Sequence, residues 1–127
     1  MLGRVEELHH IQLAMPRGRE AEAIRFYEGL LGIPHLPKPP GLDAAGAWFE
    51  SGALRVHLGV DAKFTAAKKA HPGLLVTGLD DLADRLTDAG GSVVWDDRLV
   101  GFRRVYVTDP FGNRIELLEP SDGTQEV

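Results

Sequence analysis

Residues 71–95, HPGLLVTGLDDLADRLTDAGGSVVW, spell a strand, a helix and a second strand in quick succession. The stretch 71–77 favours extended backbone, because a proline pushes the residue before it away from helical geometry. Pro72 has no N–H, which is tolerated at a strand's start or on an edge. Leu74 and Val76 alternate with His71, Gly73, Leu75 and Thr77, the period of two that a strand requires. Asp80 or Asp81 can cap a helix that carries Leu82, Ala83, Leu86 and Ala89 on one face, and Gly90–Gly91 ends it. Ser92–Asp96 opens the next extended run. Two further strands, Arg103–Thr108 and Arg114–Leu118, are joined by DPFGN (109–113), a string of turn formers.

The same order stands earlier in the chain. Residues 5–15 read as a strand in which Ile11, Leu13 and Met15 alternate with His10, Gln12 and Ala14. A helix is expected over 19–31, with Ala23, Ile24, Tyr27, Leu30 and Leu31 as its apolar stripe and Gly32 beyond its end. PHLPKPPG (34–41) is too rich in proline for regular structure and reads as an extended loop. Strands are expected at Ala47–Ser51 and Leu54–Val60. The chain therefore reads as one α+β domain built from two βαβββ modules, 5–60 and 70–120, with a linker over 61–69. The polar tail after Pro120 is expected to fray.

Composition narrows the function. In 127 residues there is no cysteine, which excludes disulfides, thiolate metal ligands and a cysteine nucleophile. The net charge is −5 and the basic residues are scattered, so nucleic acid is not the expected partner. No apolar run approaches the roughly 18 residues of a membrane span, and MLGRVEELHHIQLAM lacks the apolar core of a signal peptide. The expectation is a cytoplasmic protein with a small-molecule substrate.

Alternation also assigns the faces. His10 lies opposite Ile11, Leu13 and Met15. His57 lies opposite Val56 and Leu58, His71 opposite Leu74 and Val76, and Glu116 opposite Ile115 and Leu117. The apolar faces should pack under the helices, leaving these four side chains on the other surface. Three imidazoles and a carboxylate suit one divalent metal ion: zinc, nickel, iron(II), manganese or cobalt. The competing reading of each residue is plainer. A strand histidine can be a half-buried hydrogen-bonding group, and Glu116 can pair with Arg104 or Arg114. Trp48, Trp95 and Phe102 read as packing residues, His9 and His35 as surface or loop residues, and Asp96–Asp97 as turn chemistry. Tyr106 shares a face with Arg104 and Thr108, and Arg104 and Tyr106 are candidate pocket residues.

HHIQLAM followed by AIRFYEGLLGIP, and the closing DPFGNRIELLEP (109–120), resemble the signatures of the vicinal oxygen chelate superfamily. That superfamily contains glyoxalases, bleomycin-resistance proteins, fosfomycin-resistance enzymes and extradiol dioxygenases. The resemblance runs from about Leu8 to Pro120. It implies a curled mixed sheet around a metal-binding cup, with His10, His71 and Glu116 as ligands. His57 stands where the glyoxalase branch adds a fourth ligand, often Glu. It further implies a homodimer and a lyase or isomerase reaction through metal chelation, in which Glu116 also serves as base. Two alternatives belong to the same resemblance: a non-catalytic small-molecule binder of the bleomycin-resistance kind, and an iron(II) dioxygenase using His10, His71 and Glu116.

Overall fold

The computed structural model describes residues 2–121. In chain order the elements are β1 (Ile11–Met15), α1 (Glu20–Ile24) running into a π-helical turn (Arg25–Leu30), β2 (His35–Leu36), β3 (Ala47–Ser51), β4 (Leu54–Val60), β5 (Gly73–Leu75), α2 (Leu79–Asp88), β6 (Val93–Asp96), β7 (Phe102–Thr108) and β8 (Arg114–Pro120). They form two four-stranded mixed sheets, β1-β4-β3-β2 and β5-β8-β7-β6. In each, the strand before the helix pairs parallel with the last strand of its module. The other pairings are antiparallel.

The registers of the two sheets are equivalent around their last strands. Gln12 and Trp48 flank His57 in the first sheet; Gly73 and Tyr106 flank Glu116 in the second. His10 thus corresponds to His71, His57 to Glu116, Trp48 to Tyr106 and Arg55 to Arg114. The faces follow the alternation. Phe49, Val56 and Leu58 from one sheet, and Val105, Val107, Ile115 and Leu117 from the other, share one core cluster with Ala23, Phe26, Tyr27, Leu79 and Leu86 of the helical segments. Each large side chain buried there contributes roughly 1.5–3 kcal/mol, which holds these faces inward and leaves the opposite faces outside the core cluster.

A buried polar latch ties the modules together. The Tyr27 hydroxyl donates to Asp109 Oδ2 at 2.7 Å, and Asn113 Nδ2 donates both to Asp109 Oδ2 (2.9 Å) and to the Ala14 carbonyl (2.8 Å) at the end of β1. Burial and the neighbouring Asp109 carboxylate both hold the Tyr27 phenol well above its ordinary pKa, so its proton stays in place.

The structure corrects the sequence reading at several ends. β1 starts at Ile11, not residue 5, because its partner β4 starts at Leu54 and Ile11 pairs with Val56, leaving nothing for 5–8 to pair with. Val5 and Leu8 are accordingly exposed, and His10 lies just before the strand. Residues 71–77 contribute only Gly73–Leu75 to β5, so His71 also lies just outside its strand. The first helix changes pitch after Ile24, where Leu31 N–H reaches back to the Phe26 carbonyl. Within the proline-rich loop, His35 and Leu36 pair with Phe49 and Trp48 as a short edge strand. α2 has no side-chain cap: Gly78 stands at its start with φ +72°, while Asp80 and Asp81 pair with Arg103 and Arg85. Of the tail beyond Pro120, residues 122–127 lie outside the described residues.

Gly46 leads into β3 at φ +84°, and a Cβ there would sit 2.2 Å from the Leu58 carbonyl oxygen. Gly41 has a similar φ of +92° with nothing within 4 Å. Gly46→Ala is expected to cost about 3 kcal/mol, combining backbone strain with a collision against rigid backbone. Gly41→Ala should cost about 1 kcal/mol, from strain alone. Urea denaturation of both variants measures the difference.

Candidate functional site

On the first sheet, β4 places His57 on the face away from the core, and neighbouring strands stack rings against it. Trp48 of β3 lies parallel to the His57 ring at 4.1 Å between centroids, and His10 lies beside it at 4.6 Å. His57 is buried, and its Nε2 is 2.7 Å from Glu50 Oε2. A carboxylate only accepts, so the proton belongs on Nε2, and the neutral ring keeps its lone pair on Nδ1. Glu50 escaped the sequence reading. Its signal was its place on β3 two residues after Trp48, which puts both on the face of His57. His10 Nδ1 lies 3.1 Å from His9 Nδ1, and Arg55 donates to the His9 carbonyl where the ladder has ended.

On the second sheet, His71 Nε2 lies 3.0 Å from Glu116 Oε1. His71 Nδ1 lies 2.8 Å from the Lys69 carbonyl oxygen, which can only accept, so Nδ1 carries a proton. A neutral ring therefore turns its lone pair on Nε2 towards a carboxylate oxygen. Two acceptors face each other, and the contact is favourable only with a cation between them, either a second ring proton or a metal ion. A histidine that donates through one nitrogen to a carbonyl while the other nitrogen binds metal is the usual arrangement in metal sites, so these two residues fit such an ion.

Glu116 Oε2 accepts from Arg104 at 2.8 Å, and Arg104 also holds Asp96, which in turn holds Arg98. Burial alone would raise the Glu116 pKa. The hydrogen bonds from Arg104 and His71 together outweigh it and hold the carboxyl below its ordinary value. Asp96 is held far below the ordinary carboxylate range, first by Arg98 and then by Arg104. Asp96, read from sequence as turn chemistry, instead closes β6 and belongs to an ion-pair chain, with the Arg98 N–H also donating to its Oδ1, and Glu116 does pair with Arg104. The Tyr106 ring meets the edge of His71 at 5.6 Å and carries the Arg104 and Arg114 guanidinium carbons at 5.1 and 4.2 Å from its centre.

The four residues singled out as ligands thus stand as two pairs, His10 with His57 and His71 with Glu116, one pair on each module. Among the described residues no group of three or more His, Asp or Glu side chains surrounds a point that could hold a metal ion.

The lowered carboxylates imply a pH dependence. Glu116 and Asp96, with Asp80 held down by Arg103, sit below their unfolded values of 4.5 and 3.8. A depressed carboxylate stabilises the fold above its unfolded pKa and loses that contribution as pH falls through its folded pKa. Thermal stability should therefore hold level down to about pH 5 and fall steadily below it. Arg104→Gln should shallow that fall, as melting curves between pH 7 and 3 would record.

A family profile described as a glyoxalase-like domain matches residues 12–118. The chain belongs to the glyoxalase-like domain family. A protein from Bacillus anthracis assigned to the glyoxalase family shares 38% identity with this glyoxalase-like chain; the match covers 95% of this chain and 100% of that one, with a TM-score of 0.88. A glyoxalase/dioxygenase from Nostoc punctiforme is 18% identical over 96% and 100% of the two chains, with a TM-score of 0.75. A fosfomycin resistance protein from Listeria monocytogenes is 14% identical over 94% and 97%, with a TM-score of 0.73. The last two show the shared vicinal oxygen chelate fold alone. No curated protein matches the chain. Among the described residues, no helix of this glyoxalase-like protein is long and apolar enough to cross a membrane.

Proposed function

We propose that this glyoxalase-like protein is a divalent-metal-dependent cytoplasmic enzyme of the lyase or isomerase type, acting on a small oxygenated substrate. His71 and Glu116 of one protomer, with His10 and His57 of a second copy, would hold the ion in a homodimer. The observation that carries this reading is the 3.0 Å approach of His71 Nε2 to Glu116 Oε1, a contact that needs a proton or a metal ion between them because the other ring nitrogen is committed to the Lys69 carbonyl. The dimer is supported by the division of the four residues between two sheets, since a two-fold axis can set each pair opposite its complement.

When bound, an ion of zinc, nickel, iron(II), manganese or cobalt supplies a Lewis acid that polarises a substrate oxygen. The protein's own groups handle the proton. Arg104, on Glu116 Oε2, orients the carboxylate and keeps it ionised at neutral pH, ready to take a proton from the carbon beside that oxygen. Glu50, on His57 Nε2, leaves the lone pair of that ring on Nδ1.

The test is metal content. After loading with zinc or nickel and dialysis, elemental analysis should find one ion per chain in a dimer sized by light scattering. His57→Ala should weaken retention if His57 is a ligand and leave it unchanged if His57 only orients substrate. Protein that retains no metal, and whose melting temperature ignores added metal, overturns the proposal. Oxygen uptake with catechols and ferrous iron would instead mark a dioxygenase. One observation favours a binding protein: Arg104 already neutralises Glu116, as a metal-free groove with Trp48 and Tyr106 as stacking faces would require.

A further inference from the structure

We propose that the groove beside His71 and Glu116 contains an anion subsite centred on Arg114, which makes the substrate a small oxygenated acid carrying a carboxylate or phosphate. This rests on the reading of His71 and Glu116 as the reacting end. Arg114 and Glu116 are alternate residues of β8, so they share a face with Cα atoms about 7 Å apart. The Arg114 guanidinium lies 4.2 Å from the Tyr106 ring centre, and it is half-buried. Arg103 and Arg104 on the adjoining strand each hold carboxylates. Arg114 holds none among the described residues.

Its surroundings are those of a binding position. Arg114 lines a cavity of about 360 Å³ with Gln12, His71 and Asn113, and a second of about 530 Å³ with Lys68, Tyr106 and Thr108. It therefore bridges the space at the candidate ligands and the space beyond them. Lys68 has no acidic partner among the described residues, and the Tyr106 hydroxyl has no hydrogen-bond partner among them. A planar guanidinium offers two parallel N–H bonds to a carboxylate or phosphate, and stacking on Tyr106 fixes its plane in advance. The net charge of −5 gives the whole molecule no attraction for anions, so recognition has to come from local cations such as these.

The experiment titrates the purified full-length protein with inorganic phosphate and, separately, with glycolate at constant ionic strength, by calorimetry or NMR, with and without added zinc. At least one anion should bind saturably, and Arg114→Gln should weaken it about tenfold. Arg114→Lys should restore part of the loss, since it keeps the charge without the fork. Lys68→Gln should show a smaller loss. The preferred anion identifies the substrate's acidic group. The variants should melt with wild type and retain zinc as wild type does. Saturable binding that ignores Arg114→Gln, or no saturable binding of either anion, overturns the subsite. If wild type retains no zinc yet binds an anion through Arg114, the metal reading falls and the subsite stands.

Discussion

Replacing Asp109 by alanine is expected to destabilise the protein by about 4 kcal/mol, within the range for removing one partner of a buried charged network. The Asp109 carboxylate is buried and accepts from four donors: the Tyr27 hydroxyl, Asn113 Nδ2 and the backbone N–H groups of Phe111 and Asn113. Alanine leaves all four without this acceptor, and each orphaned donor carries a desolvation cost of about 1–3 kcal/mol, partly relieved by relaxation. Tyr27→Phe removes one donor and leaves the carboxylate three others, so it should cost only about 1–2 kcal/mol. Combining the two changes should cost less than their sum, because the Tyr27 hydroxyl is no longer present to be orphaned. Guanidinium denaturation of the four proteins completes the cycle. Because Asn113 also holds the Ala14 carbonyl, Asp109→Ala should expose β1 amides to hydrogen exchange ahead of those of β7 and β8. Equal loss of protection across both modules would show that the latch does not couple them in the manner described.

That latch separates what alternation can disclose from what it cannot. DPFGN was legible as a turn, because its residue types stabilise turn geometry locally. Its second role, accepting the phenol of Tyr27 from the other module, depends on where two sheets meet and leaves no local pattern. The strand faces were legible for a similar reason: Val56, Leu58, Ile115 and Leu117 alternate with His57 and Glu116, and the buried side of a sheet must be apolar. Strand ends were not, since residues 5–8 fall beyond the start of β4 and have nothing to pair with, whatever their own character. The π-helical turn was hidden as well. Phe26 and Tyr27 fit an ordinary helical stripe, and the altered pitch appears only in the bonds of Leu31 and Ile33 back to the carbonyls of Phe26 and Tyr27.

The candidate site divides in the same way. Which strand residues stand opposite the apolar core followed from spacing, so the face shared by His57, and that shared by Glu116, Arg104 and Tyr106, were legible. Which of them touch did not follow. The register pairs Trp48 with His57 and Tyr106 with Glu116, and equivalent positions have acquired different chemistry. The first module presents two imidazoles stacked against an indole; the second presents an imidazole facing a carboxylate, backed by a guanidinium. Thr108 stands where the first module has Glu50, so the second module has no counterpart at that position to the carboxylate that holds His57. Under the proposed function, a scaffold that divides donors in this way needs both halves to complete one coordination sphere.

Glu116→Gln separates a metal ligand from a structural ion pair. The glutamine amide can donate to His71 Nε2 while its oxygen accepts from Arg104, so every hydrogen bond of the wild-type side chain has a counterpart. His71 can then be neutral with its proton on Nδ1, the form its bond to the Lys69 carbonyl requires. Arg104 keeps Asp96 as an anionic partner. Stability of the metal-free protein at neutral pH should therefore change by no more than about 1 kcal/mol, the net worth of a typical hydrogen bond. Metal affinity should fall by at least about 100-fold, since loss of an outer partner alone costs 10–100-fold and this change removes a charged ligand. Denaturation of the metal-free protein and competition titration against a chromogenic chelator read the two quantities independently. A large loss of stability with unaltered metal affinity would make Glu116 an anchor for Arg104 and leave the Tyr106–Arg114 groove to act without an ion.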